Sequence, residues 1–226
     1  MGAMVLDGKA CGAEVEVEVK AKVSDLNAQG ITPHLAVVIV GDDPASHIYV
    51  GAKEKACARV GVRSTRIDLP SDANFAQVAE VVQKLNKDDS VHGILVQSPL
   101  PKKMDELAIT DMIDPTKDVD GFHPINLGRL VQGRVDGLVP CTPAGVVRLL
   151  EWGGVDLSGK SAVVIGRSRI VGVPVSLILA RKGVDATVTI AHSRTSDLAD
   201  ICRNADILIA AVGRAELVQA DWVKPG

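Results

Sequence analysis

Aromatic side chains are almost missing from this chain. Two Trp, two Phe and one Tyr make up 2% of its 226 residues. A groove that stacks single-stranded nucleic acid needs several aromatic platforms, so that class is excluded. Charge of one sign is missing as well. Lys and Arg number 25 against 28 Asp and Glu, a net charge of −3, which offers no strong field to a nucleic acid or an anionic membrane. No apolar run approaches the roughly 18 residues that a membrane-spanning helix needs. No secretory leader is expected at the start, and Met1-Gly2-Ala3-Met4 reads as an addition ahead of a start at Met4. The four cysteines, Cys11, Cys57, Cys141 and Cys202, form no CxxC and no Cys/His cluster with metal spacing. They read as reduced core thiols of a cytoplasmic protein with no metal site.

What is present is aliphatic. Hydrophobic residues make up 46% of the chain and charged residues 23%, enough for a sizeable core. With so few rings, that core must be built from Val, Ile, Leu and Ala, the habit of α/β proteins with buried parallel strands. The order of segments agrees. His34 to Val40 reads as a buried strand, and Pro44 to Val60 as a helix with Asp43 at its N-cap and Gly61 at its end. A strand over 62–69, a helix over 74–86, a strand over 92–97 and a short helix over 107–113 follow. Residues 114–140, rich in Gly, Pro and Asp, read as a functional connector. Thr142 is the expected cap of a helix running to about Trp152. A second series then begins, with strands over 161–165, 186–191 and 206–211 and helices over 171–182 and 196–203. One stretch conflicts with itself. Glu14 to Val19 alternates with period two, as a strand would, but its Ala- and Lys-rich flanks favour a helix over 7–27.

Two places carry chemistry. The strand Ala162-Val163-Val164-Ile165 runs into Gly166-Arg167-Ser168-Arg169-Ile170-Val171-Gly172 and then a helix. Such a turn can cradle a pyrophosphate, although the GxGxxG pattern is incomplete and an ordinary strand-to-helix turn fits equally. The next strand ends in Ala191-His192-Ser193-Arg194-Thr195 rather than in the acid that prefers NAD. Hydroxyls and a cation there favour NADP, unless Arg194 and Thr195 merely begin the next helix. In the first half, Tyr49 and Lys53 lie four apart on one helix face, at the carboxyl end of a parallel strand. A lysine there can move protons if its surroundings tune it, or it can simply cover the tyrosine with its stem. Gln97 ends another strand, where its amide can hold a lysine or act as a plain loop residue. Asp120, in a Gly- and Pro-stiffened loop, can accept from a nitrogenous ring or close an Asx turn.

Taken in order, several stretches make the chain resemble the bifunctional methylenetetrahydrofolate dehydrogenase/methenyltetrahydrofolate cyclohydrolase family. They are Asp7-Gly8-Lys9-Ala10, Tyr49-Val50-x-x-Lys53, His92-Gly93-Ile94-Leu95-Val96-Gln97, Lys117-Asp118-Val119-Asp120-Gly121-Phe122-His123-Pro124, Pro140-Cys141-Thr142-Pro143, Gly166-Arg167-Ser168 through Val171-Gly172-x-Pro174, and His192-Ser193. The resemblance implies two α/β domains around a folate cleft: a folate-binding catalytic domain over 5–140 and a Rossmann-like NADP-binding domain over 141–226. It implies NADP-dependent oxidation of 5,10-methylenetetrahydrofolate, then hydrolysis of the methenyl product to 10-formyltetrahydrofolate, in one-carbon metabolism and purine biosynthesis. By motif, Lys53 becomes the key catalytic residue, Tyr49 orients the folate, Gln97 tunes Lys53 and Asp120 binds the pterin-like ring. Arg167, Ser168 and Ser193 fall on the cofactor, Arg167 and Ser193 toward its 2′-phosphate, with Thr142 and Gly166 on the same surface. A cytoplasmic homodimer, joined through the nucleotide domain, is implied too.

The sequence departs from the family pattern in places. Ser98 stands where Leu is usual, Gly51 and Ala52 are small, and the EVEVEV run is unusual in a first helix. The family continues beyond Trp222-Val223-Lys224-Pro225-Gly226 with a strand, a Gly/Pro-rich loop and a helix, so a C-terminally short second domain is expected. Two rival readings accompany the first. One is a folate- or NADP-binding form without turnover. The other is an NADP-dependent dehydrogenase of amino or hydroxy acids, on which folate would have no effect.

Overall fold

The computed structural model describes residues 3–224. The expectation about the added start therefore falls partly outside the described residues, at Met1 and Gly2. The chain forms two compact units, one over Lys9–Pro124 and the other over Ile125–Gly226 with the N-terminal residues up to Gly8.

The first unit opens with helix α1 (Gly8–Ala28). The period-two run is helical because it hides a helical stripe. Cys11 and Val23 are buried, and Val15 and Leu26 are half-buried, while Val17 is 70% exposed. Val17 and Val19 of EVEVEV thus face solvent, and the covered positions 11, 15, 23 and 26 share one helical face. A central sheet follows, formed by β1 (His34–Val40), β2 (Arg63–Leu69) and β3 (Gly93–Val96). All pairings are parallel, in the order β2-β1-β3. Helix α2 (Pro44–Val60) begins at Asp43, whose carboxylate accepts from Ser46 N, and ends at Gly61 with φ +83°. The strand-to-helix joint at Asp43-Pro44 is therefore as the sequence predicts. Helix α3 (Phe75–Lys87) carries an Asn74–Gln77 capping box.

The two helices cover opposite faces of the sheet. Val50 of α2 packs with Val37, Ile39 and Leu95. Val78, Val82 and Leu85 of α3 pack with Ala36, Val38 and Val40. β1 is thus buried on both faces, which explains its unbroken aliphatic sequence, each full burial contributing about 1.5–3 kcal/mol. The chain leaves β1 toward β2 and returns across it to β3. The carboxyl ends of β1 and β3 therefore flank a topological switch point, where open α/β sheets bind ligands.

The connector is more structured than its composition suggests. Short helix α4 (Glu106–Thr110), one to three residues off the expected bounds, precedes it. Lys117 Nζ donates to the carbonyls of Leu85, Asn86 and Asp88, closing the end of α3. Asn86 also binds Met112 O and Asp114 N. Ile94 N donates to Lys117 O at 2.7 Å, and Asp118 forms a parallel bridge with Ile94. Gly93 permits this approach, since a Cβ there would lie 2.4 Å from Val119 Cγ1.

The second unit repeats the scheme. It contains α5 (Pro124–Val131), α6 (Cys141–Trp152), β4 (Ser161–Ile165), α7 (Gly172–Ala180), β5 (Thr187–Ala191), α8 (Leu198–Arg203) and β6 (Ile207–Ala210). The strands are parallel in the order β5-β4-β6. Val175, Ile178 and Leu179 of α7 pack with Ala162 and Val164. Cys202 of α8 packs on the other face with Val163 and Ile165. Helix α5 lies inside the expected connector, and its Leu130 belongs to the core of this unit. Residues 125–140 therefore group with the second unit, so the compact units part earlier in the chain than the expected boundary at 140. The N-terminal residues join it through Leu6, which packs so closely on Gly153 that a Cβ there would lie 2.4 Å from Leu6 Cδ2.

Two local expectations fail. Thr142 caps nothing: α6 has Pro140 at its N-cap and no side-chain cap bond. Cys141 is not a core thiol but exposed, and Cys57 is only half-buried, whereas Cys11 and Cys202 are buried. All four are free thiols.

Candidate active site

In the first unit, the residues picked from the sequence gather at the carboxyl edge of the sheet. Lys53 sits three turns into α2, half-buried, and its Nζ donates to Gln97 Oε1 at 3.0 Å. Gln97 directly follows β3, where its backbone N–H donates to Val38 O. Its side-chain Nε2 donates to Ser98 O at 2.6 Å. That second bond orients the amide: the nitrogen faces Ser98, so the oxygen faces Lys53. Tyr49, one turn before Lys53, is 63% exposed. An exposed aromatic face beside a held ammonium is suited to a flat, polar ring system.

Asp120 completes the group. Burial pushes its carboxyl up to about 6, against a lowering by nearby Lys53, and Asp118 adds to the rise. The burial has a visible source. Asp118 and Asp120 line a narrow cavity with Ile94, Val96, Leu100 and Phe122. Asp118 is the more deeply buried and accepts from His123 N at 2.8 Å. Asp118 lies in the same motif as Asp120, and nothing in its local sequence marks its part. Its contribution is to hold the 118–123 loop and to disfavour a second negative charge beside it. Ser98, one of the departures from the family pattern, donates to Glu106 Oε1 at 2.8 Å.

The second unit holds a larger cavity, of about 570 Å³, at its own switch point. Gly166 closes β4 with φ +122°, and a Cβ there would meet Ala211 O at 2.3 Å. Gly172 approaches Gly166 O equally closely, at 2.3 Å from a built Cβ. Gly166 is the first glycine of the GxGxxG pattern, and Gly172, one residue beyond the third position, supplies the close helix packing that the pattern itself lacks. Gly166, Arg167, Ser168 and Ser193 all line the cavity. Thr142 does not line it, and lies in the exposed first turn of α6. Arg194 does not line it either. Thr195 does, but its hydroxyl accepts from His192 N at 2.8 Å, closing the turn after β5. Ser168 Oγ accepts from Val171 N and Gly172 N at 3.2 and 3.3 Å. Both acceptor sites are then used, and the hydroxyl hydrogen is free to donate. Arg214 also lines the cavity and was missed. Nothing in its local sequence marked it, because its place depends on β6 lying beside β4.

The donor set fits a phosphorylated dinucleotide. The cavity offers guanidinium and hydroxyl donors and no Asp or Glu among its lining residues. Among the described residues, no cluster of His, Cys, Asp and Glu is able to hold a metal ion. Among the same residues, no helix is long and apolar enough to cross a membrane.

Known proteins match both units. The catalytic domain of the tetrahydrofolate dehydrogenase/cyclohydrolase family matches residues 6–120, and its NAD(P)-binding domain matches 140–226. The chain is 54% identical to the bifunctional protein FolD of Moorella thermoacetica, covering all of this chain and 80% of that protein. It is 49% identical to FolD of Acetivibrio thermocellus, covering all of this chain and 78% of the relative. Among solved structures, the bifunctional FolD of Campylobacter jejuni superposes with a TM-score of 0.96 at 45% identity, over 99% of this chain and 78% of that one. The Trypanosoma brucei enzyme, solved with NADP and an inhibitor, gives 0.93 at 38% identity, over 100% of this chain and 77% of that one. The chain therefore belongs to the tetrahydrofolate dehydrogenase/cyclohydrolase family.

Proposed function

We propose that this protein oxidises 5,10-methylenetetrahydrofolate to the methenyl form with NADP and hydrolyses that product to 10-formyltetrahydrofolate. Family membership over both units supports the pair of reactions. The observation that carries the reading onto this chain is the Lys53–Gln97 contact beside a carboxylate perturbed to about 6. Bound NADP accepts the hydride; the protein's own contribution is alignment and proton movement.

Asp120 accepts hydrogen bonds from the amino and ring N–H groups of the pterin, for which it must be ionised. Tyr49 packs its exposed ring on the folate and sets the height of the reacting carbon. That carbon lies between two nitrogens, so the cation left by hydride loss is stabilised by resonance. In the hydrolysis, water adds to this carbon, one C–N bond breaks and the departing nitrogen takes a proton. Lys53 serves as the relay, and Gln97 holds its ammonium at the reacting group. In the second unit, Arg167 and Ser193 take the 2′-phosphate, with Ser168 donating to the cofactor's phosphates and Gly166 leaving room for them. Thr142, outside the cavity, is assigned to the adjoining surface only on its motif. Hydrolysis of methenyltetrahydrofolate, followed at its own absorbance, tests the assignment: Lys53→Met should abolish it while NADP binding survives.

The finer assignments are expectations of the same reading. The folate-binding domain is taken as 5–140 and the NADP-binding domain as 141–226. The protein acts in the cytoplasm as a homodimer, supplies formyl groups to purine biosynthesis and binds no nucleic acid. The near-neutral charge supports the last of these. Sedimentation at micromolar protein concentration tests the dimer.

A further inference from the structure

The nucleotide cavity is lined by a second arginine besides Arg167. Arg167 enters it from the turn after β4, and Arg214 from the loop after β6. Gly213, with φ +58° and open space around it, makes the bend that turns Arg214 back over the cavity. Arg214 is exposed and has no ion-pair partner among the described residues. No Asp or Glu lines the cavity to neutralise it.

In most dinucleotide folds the pyrophosphate lies on free N–H groups at a helix N-terminus. Here that end is already occupied. Ser168 Oγ takes the N–H groups of Val171 and Gly172, and Ser168 O takes that of Val173 at 3.0 Å. The charge of a pyrophosphate must then be met mainly by a side chain. Arg167 and Ser193 lie toward the ends of β4 and β5, where such folds hold the adenosine ribose. Arg214 lies at the end of β6, across the switch point from Gly166, beside the turn that the pyrophosphate crosses.

We infer that Arg214 binds the pyrophosphate of the dinucleotide, leaving Arg167 and Ser193 to the 2′-phosphate. This assignment rests on the NADP reading above and divides the two anionic groups of one ligand between two arginines. Arg214 thereby sets affinity for any dinucleotide, and Arg167 sets the choice between NADP and NAD.

The test is equilibrium binding to the whole protein, by calorimetry, of NADP, NAD, adenosine 5′-diphosphate and adenosine 2′-monophosphate. Arg214→Gln should weaken NADP, NAD and the 5′-diphosphate together by about tenfold or more, as expected for a lost charge-assisted contact. It should leave the 2′-monophosphate and the NADP-to-NAD ratio unchanged. Arg214→Lys should recover part of the loss, because it keeps the charge but not the planar fork. Unchanged affinities in Arg214→Gln overturn the inference, as does a loss confined to NADP and the 2′-monophosphate. Failure of the unmodified protein to bind any of the four overturns the NADP reading itself. The exposed position of Arg214 makes an unchanged melting temperature the expected control.

Discussion

Lys53 and Gln97 meet at 3.0 Å although 44 residues separate them. One comes from the helix after the central strand and the other from the end of a neighbouring strand. The contact is thus a product of strand order. Because Gln97 Nε2 is engaged by Ser98 O, the amide cannot turn without losing a bond at each end. Replacing Gln97 with Leu should lower cyclohydrolase kcat by about 100-fold, within the range for mispositioned acid–base groups. KM should change far less, because Gln97 orients Lys53 rather than gripping the folate. A Gln97→Leu enzyme with an unaltered kcat would show that the contact is only structural.

Asp120 links stability to pH. Its carboxyl binds a proton more tightly in the folded chain, at about 6 rather than 3.8. The cost of ionising it is absent below the ordinary value, grows between the two and is complete above about 6. Asp120→Asn should therefore stabilise the protein above pH 6, by at most about 3 kcal/mol, and leave it little changed near pH 4. Thermal melts at both pH values check this. The same variant should bind folate more weakly, so that stability and function move in opposite directions.

The wild-type protein carries a related expectation. Pterin recognition requires the Asp120 carboxylate, so KM for methylenetetrahydrofolate should rise as pH falls below about 6. Affinity for NADP, bound in the other unit, should not follow it. Parallel titrations of the two ligands separate the effects.

Gly166→Ala should damage the nucleotide unit. Its φ of +122° disfavours any side chain, and a Cβ would meet Ala211 O at 2.3 Å. A loss of about 2 kcal/mol or more is expected, along with loss of NADP binding. Folate binding by the first unit should persist, as a thermal shift with folate would show.

Cofactor preference should respond to Arg167. Arg167→Ala is expected to reduce the NADP-to-NAD preference by about tenfold, measured as kcat/KM with each cofactor. An unchanged preference would remove Arg167 from the 2′-phosphate.

Much of the architecture was legible locally. Aliphatic runs without rings marked the buried strands, and Asp43-Pro44 and Gly61 marked both ends of α2, because caps and turns depend on neighbours in sequence. The EVEVEV run was harder: its alternation is real, but burial selects Val15 and Val23 on one helical face and leaves Val17 outside. Helix α5 was invisible within a Gly-rich connector, because its evidence is Leu130 packing against residues far along the chain. Thr142 misled for the opposite reason. Its hydroxyl suits a cap, but the N-cap position falls two residues earlier, at Pro140.

By itself the sequence determined the alternation of strand and helix, the aliphatic core and the glycine-bearing turn after β4. These follow from short-range sterics and from hydrophobic period. Only the tertiary structure decided that Gln97 holds Lys53, that burial with Asp118 nearby raises the Asp120 carboxyl, and that Arg214 lines the cavity of Arg167. Each of these depends on which strands lie side by side. That is set by burying both faces of β1 and β4, a long-range energy that no local stretch of residues contains.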